Sequence, residues 1–216
     1  MKSQIKFLAI IAFMGLLETN LQAQTNSTDK PQFGIKGGVN FSNIYSEDVD
    51  DNNVLTSFNA GVYGTFPIGD IISIQPEVLY SRKGSELTYD NAIATGTAKF
   101  KLNYIEVPIL LKVNVTDNLN LHAGPYFAYL INAEVNNNSN GSLFDYDNNY
   151  DNDDFNKLDI GISTGIGFDF NSIGIGARYN YGFSTIGKER TVAGTTYTMP
   201  DGKNSSISLY VSLKLN

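Results

Sequence analysis

From about Phe33 onward the chain alternates apolar and polar residues with a period of two, the signature of strands with unlike faces. The last stretch is the cleanest. Ile207, Leu209, Val211, Leu213 and Leu215 share one face, and Ser206, Ser208, Tyr210, Ser212 and Lys214 the other. In 160–170, Ile160, Ile162, Thr164, Ile166, Phe168 and Phe170 oppose Gly161, Ser163, Gly165, Gly167 and Asp169. In 173–183, Ile173, Ile175, Ala177, Tyr179, Tyr181 and Phe183 oppose Gly174, Gly176, Arg178, Asn180 and Gly182. Only Asn171-Ser172 separates these two stretches, a hairpin-length turn. The remaining strands are expected at 33–43, 56–66, 71–82, 98–115 and 119–132. The long 98–115 stretch changes phase near Tyr104-Ile105, which predicts a bulge there.

The connections then run long, short, long, short, long, short, long: 44–55, 67–70, 83–97, 116–118, 133–157, 171–172 and 184–204. That alternation predicts an all-β, eight-stranded antiparallel up-and-down transmembrane β-barrel, with short periplasmic turns and long extracellular loops. Past the N-terminal segment, no apolar run reaches the ~18 residues that a spanning helix needs.

Composition fits. The 216 residues include 20 Gly, 13 Tyr and 13 Phe, and only 17% are charged, which favours strands and tight turns. There is no Cys, so a disulfide framework, a thiolate metal site and a lipid-modified cysteine are all excluded. Lys2, Lys6, the apolar 7–17 run and Leu21-Gln22-Ala23 read as a signal peptide over 1–23. A short periplasmic segment, 24–32, would follow, and then the barrel domain, 33–216. Without 1–23 the chain keeps 13 basic and 21 acidic residues, a net charge of −8 that argues against nucleic acid as a partner.

The face assigned to the narrow interior carries Lys36, Glu77, Glu106, Lys112, Asp169, Arg178 and Lys214 among Gly and Ser, while the opposite face carries almost no charge. A membrane barrel would hold these ions inside; a soluble barrel would turn them to water. Aromatic placement favours the membrane. Phe41, Tyr80, Phe127, Tyr129, Tyr181 and Phe183 fall toward the long loops, and Phe66, Phe168 and Phe170 toward the short turns, giving two girdles.

Four segments carry a family resemblance: Phe33-Gly34-Ile35-Lys36-Gly37-Gly38-Val39-Asn40-Phe41-Ser42, Ile74-Gln75-Pro76-Glu77-Val78-Leu79-Tyr80-Ser81-Arg82-Lys83-Gly84, Leu102-Asn103-Tyr104-Ile105-Glu106-Val107-Pro108-Ile109-Leu110-Leu111-Lys112, and Gly124-Pro125-Tyr126. The chain resembles the PorT-like outer-membrane β-barrel family of Bacteroidetes. The resemblance implies an eight-stranded barrel, some of whose relatives are linked to gliding or to export of secreted enzymes. Such barrels often finish on an aromatic residue, whereas this sequence finishes Leu215-Asn216.

Interior ions would satisfy one another and plug the lumen, with Glu77 and Glu106 pairing with Lys36, Lys112 and Arg178. His122, the one histidine, is the only base available to a nucleophile–His–acid arrangement. It falls just after a short turn and reads as interior polar packing, so no catalytic residue is expected. Asp145, Asp147, Asn149 and Asp151 alternate like calcium-loop ligands, yet Tyr150 stands where the sharp turn wants Gly and no Glu closes the site. They form a weak metal candidate within a solvated acidic loop, to which Asp48, Asp50 and Asp51 add surface charge. No cofactor is expected. Expected partners are outer-membrane lipid and lipopolysaccharide, the barrel-assembly machinery during biogenesis, and a surface or secretion-system partner of unknown identity.

Three readings follow. The first is a non-enzymatic outer-membrane barrel serving the cell envelope or surface interaction through acidic loops. The second is an accessory component of a secretion or gliding machinery. The third is a secreted soluble ligand-binding barrel, which requires an apolar lumen.

Overall fold

The computed structural model describes residues 30–45, 52–90, 95–139, 155–192, 195–198 and 202–215. Pro31–Asn216 form one compact unit. The expected signal peptide, 1–23, lies outside the described residues, as do Asp48, Asp50, Asp51, Asp145, Asp147, Asn149 and Asp151.

Eight strands close a barrel in which each pairs antiparallel with its neighbours: β1 (Gln32–Tyr45), β2 (Asn52–Pro67), β3 (Ile72–Asp90), β4 (Thr95–Asn114), β5 (Leu119–Ser139), β6 (Leu158–Phe170), β7 (Ile173–Thr185) and, after a small hairpin of β8 (Glu189–Val192) and β9 (Thr195–Thr198), β10 (Lys203–Lys214). The ring is sealed by β1 against β10, with Gly34 opposite Lys214 and Tyr45 opposite Lys203. Closure removes the free sheet edges that would otherwise expose unpaired backbone groups.

Cross-strand register partners traced round the barrel from Ile72 run Val113, Leu121, Ile166, Ala177, Leu209, Val39 and Phe58. Every one is apolar and faces outward. Phe58 then packs on Tyr80 of β3 at 5.7 Å between ring centroids. Asn59, the next residue of β2, pairs with Ser81, which sets Phe58 level with Arg82. One circuit from Ile72 therefore climbs roughly ten residues along β3, the kind of stagger that closing a sheet demands.

The strands reach further than the two-residue period foretells. β3, β4 and β5 continue into the expected loops 83–97 and 133–157, paired as far as Asp90 opposite Thr95 and Gly96 opposite Ser139. Likewise β1 and β2 extend to Tyr45 and from Asn52 into the expected loop 44–55. Their buried positions mix apolar and polar residues, Ile44 and Leu55 with Lys83 and Ser85, so the alternation that marks a strand in sequence fades.

The irregularity expected at Tyr104-Ile105 is real but belongs to the neighbouring strand. Asn103 pairs with Asn132 and Tyr104 with Leu130, so the extra residue is Ile131 of β5. In β4, Phe100, Leu102, Tyr104, Glu106, Pro108 and Leu110 are all buried without a phase change.

Candidate functional site

The two faces of the barrel differ as a membrane requires. Glu77 is 1% exposed and Arg178 3%, whereas Leu209 is 51% exposed and Ile175 46%. Over 33–41 of β1, outward positions are Phe33, Ile35, Gly37, Val39 and Phe41. At ~3.3 Å per residue and a tilt of ~40°, that stretch rises roughly 20 Å, close to the height of a lipid-facing band. Phe33 and Phe66 meet edge to face at 5.8 Å near the short turns, and Tyr181 and Phe183 at 6.0 Å near the long loops.

Inside, the alternation that turns aliphatics outward delivers charged side chains to the barrel axis, and three groups form. In the middle, Glu77 of β3 accepts from Lys36 Nζ of β1 at 3.1 Å and from both Arg178 terminal nitrogens of β7 at 2.7 and 2.8 Å. Gln75 Nε2 donates to the same carboxylate at 2.8 Å. The Tyr210 ring lies 3.5 Å from Lys36 Nζ and 5.5 Å from Arg178 Cζ, offering its electron-rich face to both cations.

Nearer the long loops, Lys83 Nζ sits 2.6 Å from Glu106 Oε2 and 3.7 Å from Asp159 Oδ2. Asn204 Nδ2 and Tyr126 OH also donate to Asp159 Oδ2, at 2.9 and 3.2 Å. Toward the short turns, Asp169 Oδ2 accepts from Lys112 Nζ at 2.7 Å and from Asn120 Nδ2 at 2.9 Å.

Several partnerships differ from the expected ones. Glu106 pairs with Lys83, a residue placed by the sequence in a loop, and Lys112 pairs with Asp169 and not with either glutamate. Lys214 keeps inward parity at the short-turn rim and enters no ion pair among the described residues. Lys83 could have been found by continuing the inward series Ser73, Gln75, Glu77, Leu79, Ser81 by one more step.

With all groups ionised, the middle group carries one excess positive charge and the Lys83 group one excess negative charge. Arg178 and Glu106 both line the residual cavity between the groups, about 10 Å³. That is at the lower limit for one water molecule. The buried charges thus balance only when both groups are counted together.

His122 is 4% exposed, and its Nδ1 lies 3.1 Å from Asn120 Oδ1. Nε2 has no hydrogen-bond partner among the described residues and faces Gly165, where a methyl group would overlap it. This is a packed ring, held in place through Asn120 and Asp169. The Gly-rich inner face has the same cause elsewhere: side chains at Gly167 and Gly176 would strike Tyr210, and one at Gly161 would strike Tyr126.

The lumen is not polar throughout. At the long-loop end Ile44, Phe100, Leu102, Tyr104, Tyr126, Ala128, Leu130, Phe155 and Ile186 form a buried apolar cluster. Phe155 is 0% exposed although it lies outside the barrel strands. Its segment is tied down by Asn156 N to Ile186 O at 2.8 Å and by Asn156 Nδ2 to the Thr185 and Gly187 carbonyls at 2.8 and 3.1 Å. Ile186 N in turn reaches Gly202 O at 2.9 Å. An apolar stopper therefore closes the lumen above the Lys83 group. The sequence offers no periodic signal for Phe155, because its burial depends on where the loop returns.

A family model described as outer membrane protein beta-barrel domain matches residues 22–187. The chain belongs to this family. As a member it is a bacterial outer-membrane barrel, and the aliphatic faces described above are its lipid-contacting surface. The Neisserial surface protein A (NspA) structure shares the fold at a TM-score of 0.51 and 14% identity, covering 87% of this chain and 100% of that one. The Ail attachment invasion locus protein of Yersinia pestis aligns with a TM-score of 0.45 at 11% identity, over 86% of this chain and 99% of that one. No curated protein matches the sequence. The soluble-barrel reading required an apolar lumen and falls, since the ions lie inside and the aliphatics outside.

Proposed function

We propose that this outer-membrane barrel is a non-enzymatic envelope protein with a filled lumen, acting through its membrane-facing wall and its long extracellular loops and not by passing solutes. The observation that carries this reading is the closed interior. Two ion groups and an apolar stopper fill the axis, and the cavity between the groups holds at most a single water.

Within the family we place the chain on the PorT-like branch. The two most specific motifs of that resemblance, 74–84 and 102–112, supply Glu77, Lys83, Glu106 and Lys112, four members of the interior ion groups. An N-terminal signal peptide over 1–23, cleaved on export, belongs to the same reading.

Planar-bilayer recording of the refolded protein tests it. No stable conductance is expected, and large long-lived openings would overturn the filled lumen. A heat-dependent shift on unheated gels verifies that the recorded material is folded.

A further inference from the structure

Charge is nearly absent from the outer wall, and where it appears it is concentrated. Outward positions climbing β3 read Ile72, Ile74, Pro76, Val78, Tyr80 and then Arg82; those climbing β4 read Val113, Leu111, Ile109, Val107, Ile105, Asn103, Lys101 and Lys99. The wall changes from aliphatic to aromatic to cationic within two outward steps. On β1, β2, β6 and β7 the outward positions of the described residues carry no charge, β5 carries Glu134 opposite Lys101, and β10 carries only Lys203.

Arg82 is held ready. Its Nε donates to Asn103 Oδ1 at 2.7 Å, the oxygen that also accepts from Tyr80 OH at 2.8 Å. The guanidinium carbon lies 5.8 Å from the centroid of the Phe58 ring, which itself packs on Tyr80. From the lumen side Ser57 Oγ and Asn40 Nδ2 bind the Arg82 carbonyl at 2.6 and 3.0 Å, fixing the backbone. Lys99 is neutralised by Glu86 at 2.9 Å. Neither Arg82 nor Lys101 forms an ion pair among the described residues; Lys101 stands opposite Glu134 of β5, whose carboxylate accepts from Asn132 Nδ2 at 3.1 Å, whereas Arg82 stands opposite the neutral Asn103.

We infer that Arg82 and Lys101, backed by Phe58, Tyr80 and Asn103, form a site for the phosphate of an outer-leaflet glycolipid. The inference rests on the membrane assignment but not on the filled lumen. An aromatic belt marks the depth at which headgroups begin. A guanidinium there can engage phosphate with two parallel hydrogen bonds while its face stays on an aromatic ring. Lys101, one outward step further along the neighbouring strand, adds a mobile point charge, and the acyl chains of the same lipid lie along Ile105, Val78 and Ile109 below.

The test uses the full protein in phosphatidylcholine nanodiscs, with native mass spectrometry of retained lipid A and of lipid A stripped of its phosphates. The phosphorylated form is expected to be retained in preference to the stripped one. Arg82→Gln and Lys101→Gln should each reduce that preference roughly five-fold, equivalent to about 1 kcal/mol per cation, and Arg82→Lys should restore part of it. Lys203→Gln, a cation elsewhere on the wall, should leave it unchanged. Equal retention of the two lipids, or a preference indifferent to both substitutions, would overturn the site. A heat-shift gel confirms folding of each variant, and conductance recording, unaffected by these wall residues, reports separately on the lumen.

Discussion

Arg178 and Glu77 meet in a two-bond clasp, Nη1 to Oε2 at 2.7 Å and Nη2 to Oε1 at 2.8 Å, across the full width of the barrel. Their strands, β7 and β3, stand four places apart in either direction round the ring, so the clasp spans a diameter. A planar fork facing a carboxylate fixes both distance and angle between opposite walls, which a lysine could not.

Removing either partner should have unequal effects. Glu77→Gln leaves Lys36 and Arg178 buried together with no anion, and should lower stability by about 3–5 kcal/mol. Arg178→Gln leaves the neutral Lys36–Glu77 pair intact and should cost clearly less. Urea titration of the protein folded in lipid vesicles measures both midpoints; equal losses would show that the group does not act as a charge-balanced unit.

The lipid-facing wall predicts asymmetry between adjacent residues. Leu209→Arg, at a site already 51% exposed to the surroundings, should destabilise the protein by about 2–4 kcal/mol in a bilayer. In water the same change at a half-exposed site would be nearly silent. A loss under about 0.5 kcal/mol on refolding into vesicles would contradict the orientation of the wall.

The apolar stopper should loosen independently of the barrel. Phe155→Ala removes a fully buried ring, a change of about 3–5 kcal/mol at a core site. Because the ring is carried by a loop, hydrogen exchange should accelerate first at the Leu130, Asn156 and Ile186 amides, whose acceptors hold this segment. Uniform acceleration through β6 and β7 would mean that the stopper and the wall unfold as one.

Two glycines should respond unequally to the same substitution. Gly84 has φ +147°, and a methyl group there would collide with the Phe100 carbonyl, while Gly69, in a short turn, has nothing within 4 Å. Gly84→Ala should cost at least about 1–3 kcal/mol, and Gly69→Ala should be within about 0.5 kcal/mol of the parent. Chemical denaturation of the pair compares them directly.

The two-residue alternation and the alternating connection lengths were enough to mark eight strands, their order and the short turns, and to put Lys36, Glu77, Arg178 and Asp169 on one kind of face, because lipid on one side and a packed lumen on the other force unlike faces on every strand. That this face is the inner one rested on the aromatic placement. Which ions meet was not legible. Glu106 finds Lys83 and Lys112 finds Asp169 because the stagger of the closed sheet sets which inward residues share a level, and stagger is a property of the whole ring. The strand extensions, the bulge at Ile131 and the seat of Phe155 are likewise tertiary. The extensions bury Ile44, Leu55, Lys83 and Ser85 without a clean apolar–polar alternation, and the bulge and the seat of Phe155 depend on backbone pairing and loop return, so local sequence marks them only weakly.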